Sequence, residues 1–254
     1  MEIKTENNIL EQFGEARHDR RRLVIEGFHA IKHALRFGAQ ISLTVCRDPQ
    51  QMRHMVATLA PDIGAQLESG CNVISPGLFE RLGSRRVDTG MLAIATRPAF
   101  DIGAVMGMTR RAPTIIVERT AHPGNLGAVI RSSAAAGAHA VLALGDDDPW
   151  QAGALRGSAG LHFALPVGRI DPDDLQNDMA RPLWAIHPEG EDLALLTIPD
   201  DVLLAFGSER QGLSSELLAL ADRRVAIPMQ QGVSSLNLAA SAAVLLYHWR
   251  LQAC

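Results

Sequence analysis

The sequence predicts an α/β protein of two units, residues 1–100 and 113–254, joined by a linker at 101–112. Three observations carry that expectation. Short β-prone runs alternate with helical patterns along the chain, the mark of α/β architecture. Three corners, after Val117, Phe206 and Ile227, each lead from an apolar strand through a polar or glycine-containing loop toward a helix. Open α/β sheets hold their ligands at such corners, outside the carboxyl ends of the strands. The linker is punctuated by Gly103, Gly107 and Pro113.

Taken in order, the first twenty residues are polar and read as a mobile start. A strand is expected at 23–25, then a helix with Phe28, Ile31 and Leu35 on one face and Gly38 closing it. Strands at 41–45, 72–74 and 91–95 follow, with helices at 50–59 and 76–82 between them. In the second unit strands are expected at 114–118, 139–144, 183–187, 203–206 and 224–227, with helices between. Pro228 has no backbone N–H and stops the last strand. A polar loop, 229–234, then leads to a helix starting at Ser235 or one residue before it, with serine as the cap.

That last helix has an uncommon pattern. Leu236, Ala239, Ala240, Ala243, Val244 and Tyr247 form one apolar stripe; Leu238, Ala242, Leu245 and Trp249 form another. Only Asn237, Ser241 and His248 are polar. A helix apolar nearly all round is buried on more than one side. Its own sheet plus a second subunit is one reading; an ordinary core helix with a serine cap is the other.

The chain has 254 residues, 47% hydrophobic and 20% charged, ample for a core. No apolar run approaches the roughly 18 residues needed to cross a bilayer, and the start lacks a signal-peptide layout. The expectation is a cytoplasmic protein with no membrane partner. Cys46, Cys71 and Cys254 are isolated in the sequence and odd in number, so they read as reduced and structural. No metal is expected: Glu26, His29 and His33 share a helix face, but a solvated or RNA-facing surface accounts for them equally well. Net charge is −4, unevenly spread: residues 1–100 hold 13 Lys and Arg against 11 Asp and Glu, residues 101–254 hold 11 against 17. Of the 24 basic residues 22 are arginine, the side chain suited to bidentate phosphate contact. Arginines cluster at Arg17, Arg20, Arg21 and Arg22 and at Arg81, Arg85 and Arg86, a pattern that fits a solvated face as well as an RNA contact.

Three segments narrow the choice. "NLGAVIR" (125–131), "FGSERQG" (206–212) and "IPMQQGVSSLN" (227–237) are similar, in this order, to the three motifs of the SpoU/TrmH-type RNA methyltransferases of the SPOUT superfamily. The resemblance covers about residues 112–250. It implies a C-terminal α/β knot, a trefoil-knotted and mostly parallel sheet. The front of the chain, with "LVIEGFHAIKHALRFGAQI" and "TGMLAIATRP", resembles the smaller ribosomal-protein-like α/β domain that binds RNA substrate in these enzymes. The implied activity is transfer of a methyl group from S-adenosylmethionine (SAM) to a ribose 2′-hydroxyl of structured RNA, rRNA ahead of tRNA, by a homodimer.

Methyl transfer from a sulfonium needs a folded cofactor pocket, an oriented nucleophile and a group to offset a proton; positioning supplies much of the rate. Gly207, Ile227 and Leu236 match the positions whose backbone holds SAM in the family, and Met229 borders the same pocket. Glycine lets a chain approach a ligand closely. His187 stands where the family often has threonine, a departure at that contact. Arg131 has only Gly127, Ala128, Ala134 and Ala135 beside it on a helix, which leaves it accessible. A guanidinium titrating above about 12 is a poor base. Its expected role is electrostatic, at the developing alkoxide and the phosphate. Asn125 and Glu209 match the polar residue of motif one and the acid of motif two; Glu209 accepts a proton or orients Asn125. Ser235 and Asn237 match the polar pair of motif three and orient substrate and cofactor tail. Tyr247–His248 departs from the family's frequent Tyr–Glu. Two other functions remain in view. One is a SAM- or RNA-binding protein without catalysis, against which the intact polar set argues. The other is a dinucleotide-dependent enzyme, for which "GNLG" opens a helix but a full GxGxxG and a ribose-binding acid are missing.

Overall fold

The structure is a computed structural model and describes residues 5–83, 87–107, 111–176, 181–208 and 210–252. The chain divides into two units, residues 1–99 with 159–164, and residues 100–158 with 165–254.

The first unit contains α1 (Glu6–His18), β1 (Arg22–Glu26), α2 (Phe28–Arg36), β2 (Ile41–Cys46), α3 (Pro49–Leu59), α4 (Gly64–Gly70), β3 (Cys71–Val73), α5 (Pro76–Leu82) and β4 (Met91–Thr96). Its sheet has the order β1-β4-β2-β3, with β4 antiparallel to both neighbours and β3 parallel to β2. Strand β4 explains why one sheet carries two cores. Its side chains alternate between faces, so Met91, Ala93 and Ala95 join a cluster with Phe28 and Ile31. Leu92 and Ile94 join another with Phe13, Leu43 and Phe79.

Residues 6–18 are not the loose segment their polarity suggests. Ile9, Phe13 and Ala16 recur at helical spacing in α1 and are all buried. Three buried apolar residues in thirteen are enough when they share a face. The arginines after it divide. Arg17 donates to the Leu82 carbonyl, and Arg22 pairs with Glu15 at 3.3 Å and Asp19 at 3.8 Å. Arg20 and Arg21 are exposed, while Arg85 and Arg86 lie outside the described residues. Cys46 and Cys71, isolated in sequence, meet across β2 and β3, where Thr44 pairs with Cys71. Their hydrogen bond, together with burial, holds the Cys71 thiol well above its usual range.

The second unit contains α6 (Ile102–Gly107), β5 (Thr114–Glu118), α7 (Pro123–Ala136), β6 (Ala140–Leu144), α8 (Ala152–Gly157), β7 (Val167–Ile170), α9 (Pro172–Gln176), β8 (Leu183–Asp192), β9 (Leu203–Phe206), α10 (Ser215–Leu220), β10 (Arg223–Ala226) and α11 (Leu238–Gln252). Among the described residues it forms one six-stranded sheet, β10-β8-β9-β5-β6-β7, parallel throughout. The inner strands β5, β9 and β6 are buried at every position. Parallel sheets are covered on both faces, which is why these strands read as unbroken apolar runs rather than alternating ones.

Several boundaries differ from expectation. Residues 102–107, read as linker, form α6, and Val105 and Met106 pack with Ile116 and Leu142. Strand β8 continues to Asp192 because its second half pairs with β10 across a register shift between Arg224 and Val225. Strand β10 stops at Ala226, so Ile227 belongs to the following loop. Helix α11 starts at Leu238, three residues later than the serine cap placed it. Asn237 is the cap: its Oδ1 accepts the N–H groups of Ala239 at 2.9 Å and Ala240 at 3.4 Å. Only one of the two apolar stripes is buried, through Leu238, Ala242, Leu245 and Leu246. Val244 and Tyr247 on the other are exposed, as is Leu236 in the preceding loop. Among the described residues no helix is long and apolar enough to cross a membrane.

Candidate active site

Residues 186–188 of β8 and the loops that follow Phe206 and Ala226 bound one cleft of about 240 Å³. Ile186, Phe206, Ile227, Met229, Leu236 and Leu238 supply its apolar walls; Ser208, Ser234, Ser235 and Ser241 supply hydroxyls. Gly207 and His187 complete the part foreseen from sequence. A second hollow of about 510 Å³ adjoins it, shares Pro188, Ile227, Met229 and Ser234, and adds Asp192, Gln230 and Gln231. Ile186, Leu238 and Ser241 were missed as lining residues. Ser241 was readable, since it is a lone serine four residues after Asn237 on a helix otherwise nearly apolar.

Gly207 is glycine for a reason other than ligand approach. A Cβ there would lie 2.0 Å from the carbonyl carbon of Gly212 and 2.2 Å from the nitrogen of Leu213. The chain itself occupies the space. Ser208 and Gly212 close a small ring through two backbone bonds, Ser208 N–H to Gly212 O at 3.1 Å and Gly212 N–H to Ser208 O at 3.0 Å. Gly212 makes the ring possible at φ +68°, a conformation other residues adopt with strain. Glu209 lies outside the described residues.

The polar residues form a second group beside the cleft. Asn237 caps α11 with its oxygen, and its Nδ2 donates to Asn125 Oδ1 at 3.3 Å. Motifs one and three therefore meet through two amides. Arg131 is exposed on α7 and is not part of the cleft lining. Six residues place it about 9 Å further along the helix than Asn125. His187 Nδ1 accepts the N–H of Glu189 at 3.2 Å, which leaves Nε2 as the donor of the neutral ring. Among the described residues no group of three His, Cys, Asp or Glu side chains is arranged to hold a metal. In the Glu26, His29, His33 set, His33 Nδ1 is bonded to the Ala159 carbonyl at 2.8 Å.

The sequence model of the SpoU rRNA Methylase family matches residues 112–247, from the approach to β5 to near the end of α11. The chain belongs to the SpoU rRNA methylase family. It is 26% identical over 235 residues to the 23S rRNA (guanosine(2553)-2′-O)-methyltransferase RlmP of Bacillus subtilis, covering 89% of this chain and 88% of that one. The fold agrees with the SpoU methyltransferase AviRb of Streptomyces viridochromogenes, solved in complex with AdoMet. That TM-score is 0.79 at 24% identity, over 96% of this chain and 97% of that one. A structure described as an RNA 2′-O ribose methyltransferase gives a TM-score of 0.74 at 28% identity, over 98% and 97%. The α/β fold with a parallel sheet matches these SpoU structures, and in this chain the segments from Asn125, Gly207 and Ile227 follow β5, β9 and β10.

Proposed function

We propose that this SpoU-family chain is a SAM-dependent RNA methyltransferase acting on a ribose 2′-hydroxyl of structured RNA, rRNA ahead of tRNA. The observation that carries the proposal is the convergence of segments 186–188, 207–212 and 227–238 on one cleft. The cleft suits the cofactor's parts: apolar walls for a flat adenine, serine hydroxyls for ribose and amino-acid tail. Gly207, Ile227, Met229, Leu236 and His187 would hold it. SAM, when bound, supplies an electrophilic methyl group on a sulfonium. The chain's own polar residues do the rest. Asn237 ties α11 to Asn125 and so fixes the cleft's edge. Ser235 and Asn237 orient the substrate. Glu209 takes or steers the proton of the 2′-hydroxyl. Arg131, exposed beyond the cleft wall, stabilises the developing alkoxide of an RNA strand docked at the mouth. The relatives named as 23S rRNA 2′-O-methyltransferases favour rRNA.

The test is transfer of labelled methyl from SAM to rRNA, followed by digestion to nucleosides. A 2′-O-methylated nucleoside is expected. Methylation on a base overturns the proposal, and SAM binding without transfer selects a non-catalytic cofactor-binding protein.

Assembly as a homodimer belongs to the same proposal. In the single chain Val244 is 40% exposed, Tyr247 43% and Leu251 67%, with Leu236 at 42% just before the helix. A contiguous apolar surface of this kind marks an interaction site. Sedimentation at micromolar concentration is expected to give twice the chain mass, and Val244→Glu with Tyr247→Glu to give the chain mass. A wild-type monomer removes the dimer.

The first unit is assigned to RNA contact, through arginines not used internally. Replacing Arg20 and Arg21 together by serine should weaken RNA binding and reduce the slope of log affinity against log salt by less than about 2. An unchanged slope takes these two residues off the RNA surface.

A further inference from the structure

Glu118 ends β5 and, among the described residues, is the carboxylate that the fold buries, at 5% exposure. A charge taken out of water is costly unless a donor faces it. Its donor is the backbone N–H of Ser214, 2.7 Å from Oε2, within the short range of charge-assisted bonds. In the sheet Val117 pairs with Phe206, so Glu118 and Gly207 are the next positions on adjacent strands. The chain leaves β9 at Gly207, closes the 208–212 ring, and returns across Gly207, where the missing side chain leaves room for the backbone of Gly212 and Leu213. It reaches Ser214 beside Glu118.

The ring's described hydrogen bonds are internal: Ser208 with Gly212, and Gln211 N–H to Ser208 Oγ at 3.2 Å. What fastens it to the sheet is Leu213, 8% exposed in the cluster with Ile116 and Leu142, and the Glu118–Ser214 bond. Ser214 also starts α10, its Oγ accepting the Leu217 N–H at 3.2 Å. Glu216 in the first turn of α10 is held below its usual range by its own backbone amide, by the Ser215 hydroxyl and by the Arg119 charge.

We propose that Glu118 is a positioning residue for the cofactor cleft: its carboxylate holds the Ser214 N–H and thereby fixes the wall that Gly207, Ser208 and Gly212 present to SAM. The proposal rests on the SAM reading of the cleft. It separates Glu118 from an ordinary core residue, because the wall residues it fixes, Gly207, Ser208 and Gly212, line the cofactor cleft.

Calorimetric SAM binding, RNA affinity and hydrogen exchange are compared in the full chain for Glu118→Ala, Glu118→Gln, Ser214→Pro and Ser214→Ala. Glu118→Ala should weaken SAM binding about tenfold or more, the scale of one hydrogen bond to a charged group. RNA affinity should move by less than about twofold. Glu118→Gln, which keeps an acceptor oxygen, should recover most of the loss. Exchange should accelerate over 208–214 and stay unchanged in β5 and β9. Ser214 has φ −64°, which proline accepts, so Ser214→Pro deletes the donor at an unchanged φ. It should lose SAM as Glu118→Ala does, while Ser214→Ala, which removes only the α10 cap, should lose less. This pair carries the comparison if Glu118→Ala does not fold. A folded Glu118→Ala with wild-type SAM affinity overturns the proposal, as does Ser214→Pro matching Ser214→Ala, or a parallel loss of SAM and RNA. A wild-type chain that binds no SAM overturns the cofactor reading, and this proposal with it.

Discussion

Arg131→Ala is expected to slow single-turnover methyl transfer on the order of a hundred- to a thousand-fold, the scale for deleting one donor that stabilises transition-state charge. SAM affinity should move by less than about threefold, well under 1 kcal/mol. The separation follows from where the residue stands. Helix α7 is anchored by Leu126, Val129, Ile130 and Ala136, all buried, whereas Arg131 is exposed and absent from the cleft lining. Removing its side chain leaves core and cleft intact, so a rate loss without a binding loss reports an interaction made in the transition state. Arg131→Lys should recover little, because a point charge does not reproduce a planar fork of donors. An RNA whose target nucleotide carries 2′-deoxyribose should bind and accept no methyl. Turnover near wild type in Arg131→Ala, or methylation of the deoxy substrate, removes the arginine or the ribose from the chemistry.

Gly207→Ala is expected to abolish measurable SAM binding and to cost about 3 kcal/mol of stability, through overpacking and loss of Leu213 burial. The added Cβ falls 2.0 Å from one backbone atom and 2.2 Å from another, and neither can step aside as a flexible side chain would. The segment must lift, taking Leu213 out of its cluster and Ser214 away from Glu118. Gly212→Ala is the control. A Cβ there meets nothing within 4 Å, so it bears only the strain of φ +68°, about 1 kcal/mol. Denaturant midpoints and equilibrium dialysis of labelled SAM separate the two. If Gly207→Ala unfolds at the wild-type midpoint and binds SAM, the loop backbone does not rest on that glycine.

The same glycine shows how far local pattern carries. The family's motif order was enough to find it, but the cause of its being glycine lies five and six residues on, in a ring that doubles back. The pairing of two motif amides is of the same kind: Asn125 and Asn237 are 112 residues apart and meet at 3.3 Å. Asn237 looked like an orienting residue and Ser235 like the cap. The structure gives Asn237 the capping bonds, because the loop runs three residues further than the apolar pattern suggests.

By itself the sequence determined the α/β class, the apolar inner strands, the family and the corners where its motifs lie. These are local properties: burial on both faces makes a strand uniformly apolar, and a corner needs its glycine or polar residue at a set distance from the strand end. Tertiary structure alone decided which stripe of α11 is buried, since Leu238 and Val244 are equally apolar and only the packing of α11 against α7 tells them apart. It decided that the polar start is a packed helix, that Cys46 meets Cys71, and that Glu118 is buried against Ser214, 96 residues away. Threading of the kind the family resemblance implies leaves no mark in periodicity either. Periodicity records how much apolar surface a segment must hide; the partner that hides it is set by the path of the whole chain.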